Sequence, residues 1–199
     1  IDLKDRKVVA DVHLLFPITI TDLDNRIFTV DGSTINVANA GVGTPEEKDP
    51  ADTPPRDWWC DIAVPEGTLR LAQPLDLDID VTLKAFDVEP LLALISKTRK
   101  SADRLDRILA IHDLEGGAHL TVGNSGTHIS DLFAEGGRAE MLGNLCLRKG
   151  DNSGAIYIKY GILSLGVEIL GEDEKKHIIT PRKWYDEYVG KFSCGRDGP

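Results

Sequence analysis

The stretch "LDLDIDVTLKAF" at 75–86 alternates without a fault. Leu75, Leu77, Ile79, Val81, Leu83 and Ala85 fall on one side of an extended chain, and Asp76, Asp78, Asp80, Thr82 and Lys84 on the other. Successive side chains of a strand point to opposite faces, so this run specifies an antiparallel strand with one apolar and one solvated face. "GAIYIKYGILSLGVEI" at 154–169 repeats the rhythm, with Leu163, Leu165, Val167 and Ile169 at every second position. These stripes constrain the whole fold. The chain must cover them with its own elements or leave them open to something from outside.

The same grammar runs through most of the sequence. "KVVADVHLLF" (7–16) sets Val8, Ala10, Val12, Leu14 and Phe16 against Asp11 and His13, and "NRIFTVDGSTINVANA" (25–40) predicts a hairpin about Asp31-Gly32. Residues 41–57, "GVGTPEEKDPADTPPRD", have the Gly, Pro and acid content of a flexible loop. Strand signals resume at 58–64 and 67–72. The period then changes: Leu91, Leu92, Ile95, Leu105, Ile108 and Leu109 recur at three- and four-residue steps, which predicts a two-helix insertion over 87–114, capped by Asp87 and Ser101. After Gly116-Gly117, strands are expected at 118–122, 127–136, 138–148, 154–160, 162–170 and 175–179. A C-terminal helix follows over 181–192, with Thr180 as its cap and Pro181 in its first position. The expectation is one mostly β domain over 1–199, a long curved antiparallel meander or a sandwich folded from it.

Composition narrows the partners. The net charge of −10 disfavours nucleic acid, whose phosphates want clustered Lys and Arg. No run approaches the ~18 apolar residues that would cross a bilayer as a helix. The chain opens on Ile1, as an excised piece would, so any leader or anchor of a parent protein is invisible in it. Of the three cysteines, Cys146 sits in an apolar run and reads as core, while pairing of Cys60 with Cys194 in an oxidising compartment stays open.

The residues that most resemble chemistry have simpler readings. Asp76, Asp78 and Asp80 invite a calcium site, yet three alternate strand positions span ~13 Å, too far for one hard cation. "GDNSG" (150–154) is a turn, because Asn152 breaks the spacing a serine nucleophile needs. The five histidines have no helical i, i+4 spacing, and no glycine-rich phosphate loop is present. No catalytic residue, metal site or cofactor is therefore expected. Trp58 and Trp59 are candidates for a partner surface or a sugar platform.

From the insertion onward, the order "FDVEPLLALIS", then "LDRILAIHDLEGGAHLTVGNSGTHISDLFAEGGRAEMLGNLCLRKGDNSGAIYIKYGILSLGVEI", then "PRKWYDEY" resembles the C-terminal region of bacterial AsmA-like proteins, kin to TamB and YhdP. The likeness spans about residues 85–190 and rests on strand grammar rather than a catalytic fingerprint. The 41–57 loop and the twin tryptophans do not map onto it. It implies a periplasmic protein, anchored in the inner membrane by a segment outside this chain, whose curved β-sheet has an apolar concave side linked to phospholipid movement and outer-membrane upkeep.

The leading expectation is thus a non-enzymatic envelope domain that shelters or conducts phospholipid acyl chains. Leu77, Ile79, Val81, Leu163, Leu165 and Val167 are the candidate lining. Alternatives are a scaffold for an envelope protein partner or a carbohydrate-binding sandwich. The bland outcome is a closed core, with the helices over 88–110 and 181–190 plugging the concavity.

Overall fold

The computed structural model describes residues 2–3, 6–43, 59–73, 75–87, 112–124, 126–148, 151–171 and 173–194, and in it the stripes add up to a single sheet. Its strands are β1 (Asp2–Leu3), β2 (Arg6–Leu15), β3 (Thr19–Asp22), β4 (Ile27–Thr29), β5 (Ser33–Gly43), β6 (Trp59–Val64), β7 (Gly67–Arg70), β8 (Asp76–Asp87), β9 (His112–Gly123), β10 (Gly126–Gly136), β11 (Ala139–Leu147), β12 (Ser153–Tyr160), β13 (Leu163–Leu170) and β14 (Asp173–His177). One helix, α1 (Pro181–Val189), follows. The path through the sheet is β1-β2-β5-β6-β8-β9-β10-β11-β12-β13-β14, with β3, β4 and β7 as a side branch, and the two ends of the path do not pair. The sandwich alternative is not what forms: this is one open antiparallel sheet.

The side branch arises because three long strands kink instead of ending. β2 continues as β3 past Pro17, β4 as β5 past Asp31-Gly32, and β6 as β7 past Pro65-Glu66. The halves β3, β4 and β7 pair in that order, and β7 pairs with the first part of β8. Pro17 and Pro65 lack the N–H that an unbroken ladder would use. Backbone bonds bridge the interruption: Val30 N–H donates to the Gly67 carbonyl at 2.9 Å, and Gly32 N–H to Val64 at 2.8 Å. The Asp31 carboxylate accepts from Gly67 N–H at 2.7 Å. Val30 and Ser33 are buried here, and the Ser33 hydroxyl donates to the Val30 carbonyl at 2.6 Å.

Several expectations are corrected. Asp31-Gly32 is a kink and not a hairpin turn, since β4 pairs with β3 and β7 while β5 pairs with β2 and β6. The expected two-helix insertion over 87–114 is not supported at either end. Asp87 is a ladder residue opposite His112, not a helix cap, and Leu114 pairs with Ala85. Residues 88–111 lie outside the described residues, and α1 is the one helix among those described. Gly116 and Gly117 punctuate nothing. They lie inside β9, where a Cβ on Gly116 would meet the Phe133 carbonyl at 2.8 Å and one on Gly117 the Phe133 ring at 2.9 Å. A glycine in a strand can mark such a close approach. Of the 41–57 loop, 41–43 belong to β5 and the rest lies outside the described residues. Thr180 does precede α1 with Pro181 behind it, but its side chain makes no cap bond.

Gly67 gives the kinked region a direct test. A Cβ there would stand 2.7 Å from Ile79, 2.8 Å from Val30 and 3.0 Å from Val64, all stiff β-branched side chains. Gly67→Ala is expected to lower stability by about 1–3 kcal/mol in urea unfolding, as overpacking does.

Candidate functional site: an apolar sheet face

Residues directly opposite each other in a ladder share a face, so the register assigns every stripe to a side. Leu77, Ile79, Val81, Leu83 and Ala85 of β8 stand opposite Val122, Leu120, Ala118, Gly116 and Leu114 of β9. The face continues through Ile129 and Ala134 of β10 to Leu145 and Met141 of β11, then to Ile158 and Ile156 of β12. It reaches Leu165 and Val167 of β13, with Leu163 opposite Tyr160 at its rim. In the other direction it runs through Cys60 and Ile62 of β6, Val37 and Ile35 of β5, and Val12 and Leu14 of β2. All six predicted lining residues therefore lie on one face. From β5 to β13 the one charged residue that the register sets on this face is Asp87, opposite His112 at the end of the β8–β9 ladder; charge returns at Lys176 and Glu174 of β14, opposite Val167 and Ile169.

One phase break inside a strand keeps the face continuous. In β10 the register shifts between Ile129 and Leu132, where Asp131 adopts φ 52°. The bulge absorbs one extra residue, so Leu132 falls beside Gly143 on the apolar side although it lies three residues from Ile129. A Cβ on Gly143 would come 2.7 Å from Leu132.

The opposite face is polar in its first half. His119 stands across from Asp80, its Nδ1 2.8 Å from the Asp80 carboxylate and its Nε2 3.3 Å from Asp78. Asn36 donates to Asp61 at 2.9 Å, and Lys84 pairs with Glu115 at 3.1 Å. The aspartates of 76–80 thus line a solvated surface as expected, and among the described residues no cluster of His, Cys, Asp or Glu is arranged to hold a metal. The His119 pairing was hidden from sequence because nothing in it gives the β8–β9 register. Trp59 is on this face too, opposite Ala38, and Trp58 lies outside the described residues.

In its second half the polar face is covered by α1. Tyr185 packs on Ala155 and Tyr157, with Leu142, Trp184, Tyr188 and Val189 around them. Trp184 lies over Gly166, where a Cβ would meet its ring at 2.5 Å, and stacks on His177 with centroids 3.9 Å apart. His177 in turn meets Glu168 at 3.1 Å. Arg182 reaches Glu140 at 2.7 Å and sits over the Tyr157 ring. The covalent tie is Cys146–Cys194. The suggested Cys60–Cys194 pairing does not form, because Cys60 points to the apolar face and Cys146 to the helix face. Burial, and then the Asp61 charge, push the Cys60 thiol above its ordinary range, keeping it protonated.

The helix therefore does not plug the apolar stripe; it occupies the reverse side. Among the described residues no helix or second sheet lies over the stripe. Its side chains are half-buried by their own neighbours, and Leu163 is 71% exposed. Comparison of the chain with protein-family models, curated proteins and solved structures finds no match.

Two outcomes follow for the helix. Cys146 and Cys194 close a 48-residue separation, so Cys146→Ser with Cys194→Ser is expected to cost about 4 kcal/mol in chemical denaturation. Burial holds the Tyr185 and Tyr188 hydroxyls above their ordinary value of 10.0; Arg182 partly opposes this at Tyr185, while Asp131 and Asp186 add to it. Because the folded state keeps these protons more tightly, helix docking is at full strength below pH 10 and is lost as pH rises through the raised pKa values. A Tyr185→Phe, Tyr188→Phe chain should lose less stability above pH 10, measured by denaturation across the alkaline range.

Proposed function

We propose that this chain is a non-enzymatic cell-envelope domain that shelters or conducts phospholipid acyl chains along its apolar sheet face. The observation that carries the reading is the apolar face running from β5 to β13, with charge only at its Asp87 margin and no described element over it. Strands lie ~4.8 Å apart, so the nine strands from β2 to β13 along the main path give an oily track of about 38 Å. That exceeds twice the depth of one bilayer leaflet, about half of a ~30 Å hydrocarbon core. Burying one methylene is worth about 0.8 kcal/mol, so a dozen on this track contribute about 10 kcal/mol toward extracting a lipid.

The chemistry of the face favours acyl chains over a polypeptide. Its backbone groups are used in the ladder, and Ser33, Thr127 and Tyr160, with Asp87 and His112 at one margin, are the few polar residues registered on it. A protein partner wants about one hydrogen bond per 100–200 Å², which such a surface does not offer. The resemblance to AsmA-like proteins supports the same reading, with a periplasmic location, attachment to the inner membrane through a segment outside this chain, and a part in outer-membrane maintenance. The Cys146–Cys194 disulfide suits an oxidising compartment. No helix of the described residues is long and apolar enough to cross a membrane.

Lipid mass spectrometry on the purified chain tests this. Phospholipid should be enriched over a control protein, and Val81→Asp with Leu165→Asp should reduce it several-fold, whereas Thr82→Asp on the other face should not. Absence of enrichment, or equal loss from both faces, would count against the reading.

A further inference from the structure

The corner of the sheet where β12, β13 and β14 meet α1 exposes four large aliphatic side chains: Ile162 at 99%, Leu163 at 71%, Ile178 at 75% and Ile179 at 84%. Ile162 sits in the tight turn between β12 and β13, which Gly161 permits with φ 58°. Ile178 and Ile179 link β14 to α1. Since His177 stands opposite Gly166 and the strands are antiparallel, the chain leaves β14 heading toward the Leu163 end of β13. Thr180 and Pro181 then line one open depression together with Ser164, which brings the Ile162–Leu163 and Ile178–Ile179 pairs to the same corner. Leu163 also belongs to the rim of the apolar face.

Arg138, Arg182 and Lys183 flank these prongs, with Asp186 and Glu187 lining the same depression. Arg138, in the neighbouring turn, is exposed, accepts the Gly161 N–H on its carbonyl at 2.9 Å and makes no ion pair among the described residues. The Lys183 side chain is 76% exposed and meets Glu187 only at 3.8 Å. On a chain of net charge −10, which an anionic surface would otherwise repel, this placement of cations beside isolated aliphatic prongs matches an interface of acidic headgroups over acyl chains. The four prongs stand on two separate turns, with no aromatic among them, unlike the aromatic anchors that dominate a protein hot spot.

Resting on the acyl-chain reading above, we propose that this corner docks on an anionic phospholipid bilayer. It inserts Ile162, Leu163, Ile178 and Ile179 and so sets the rim of the apolar face against its lipid source. The test is flotation of the full 199-residue chain with vesicles of phosphatidylethanolamine and phosphatidylglycerol, beside vesicles of phosphatidylcholine alone. The wild-type chain should float with the acidic vesicles and bind the neutral ones less. Ile162→Asp with Ile179→Asp should cut the bound fraction at least about tenfold, with the circular dichroism spectrum and the Cys146–Cys194 bridge unchanged. Arg138→Glu should weaken binding to the acidic vesicles specifically. A wild-type chain that stays unbound, or a double variant that floats as well as wild type, overturns the proposal. So does a double variant whose only change is from oligomer to monomer, which would make a second copy the occupant. Flotation that depends on the corner, in a chain that retains no acyl lipid, would overturn the acyl-chain reading while leaving the docking corner in place.

Discussion

The structure depends on ladder register. Each strand from β2 to β13 along the main path has one oily side, and a slip of one residue at any of these pairings would turn that side over. Nine strands of the main path keep their apolar sides together only because the hydrogen-bonded partners are aligned pair by pair. Where the sequence steps out of phase, the backbone absorbs the difference. Asp131 does so in β10 and Asn39 in β5, each with positive φ at a register shift. Asn and Asp tolerate that conformation better than other side chains with a Cβ.

The two faces then acquire different fates. One half of the polar side receives α1, fixed by the Tyr185 contacts, the Trp184–His177 stack and the disulfide. The helix thereby spends its apolar surface away from the stripe that most needs cover. β14 finishes the sheet with Asp173, Glu174, Lys175 and Lys176 all exposed. A short charged edge strand discourages further pairing. The result is an open sheet with a charged edge strand, backed over half of one side, and with no described element over the other.

The stripes at 75–85 and 162–170 were legible because strict alternation has one structural meaning; that the six candidate residues share a face follows only from the register. What sequence could not supply was register. His119 could not be seen to meet Asp78 and Asp80, nor Cys146 to face Cys194 across a helix, because both depend on which strand lies beside which. The Gly116-Gly117 pair looked like punctuation when its cause is the Phe133 side chain and backbone pressed against it from β10. Asp31-Gly32 carried the chemistry of a hairpin turn but serves as a kink, since Pro65 opposite breaks the neighbouring strand at the same level. The helical rhythm of 91–109 was extended too far at both ends, where ladder partners draw 87 and 112–114 into the sheet.

The account stands on the apolar face being bare in solution. Site-specific photo-crosslinking in cells, with a benzophenone side chain at position 158 on that face and at position 159 on the reverse, addresses this most directly. The account predicts phospholipid adducts at 158 and none at 159. Crosslinks from 158 to a second copy of the chain, or to its own residues 88–111, would show the face already mated and contradict it.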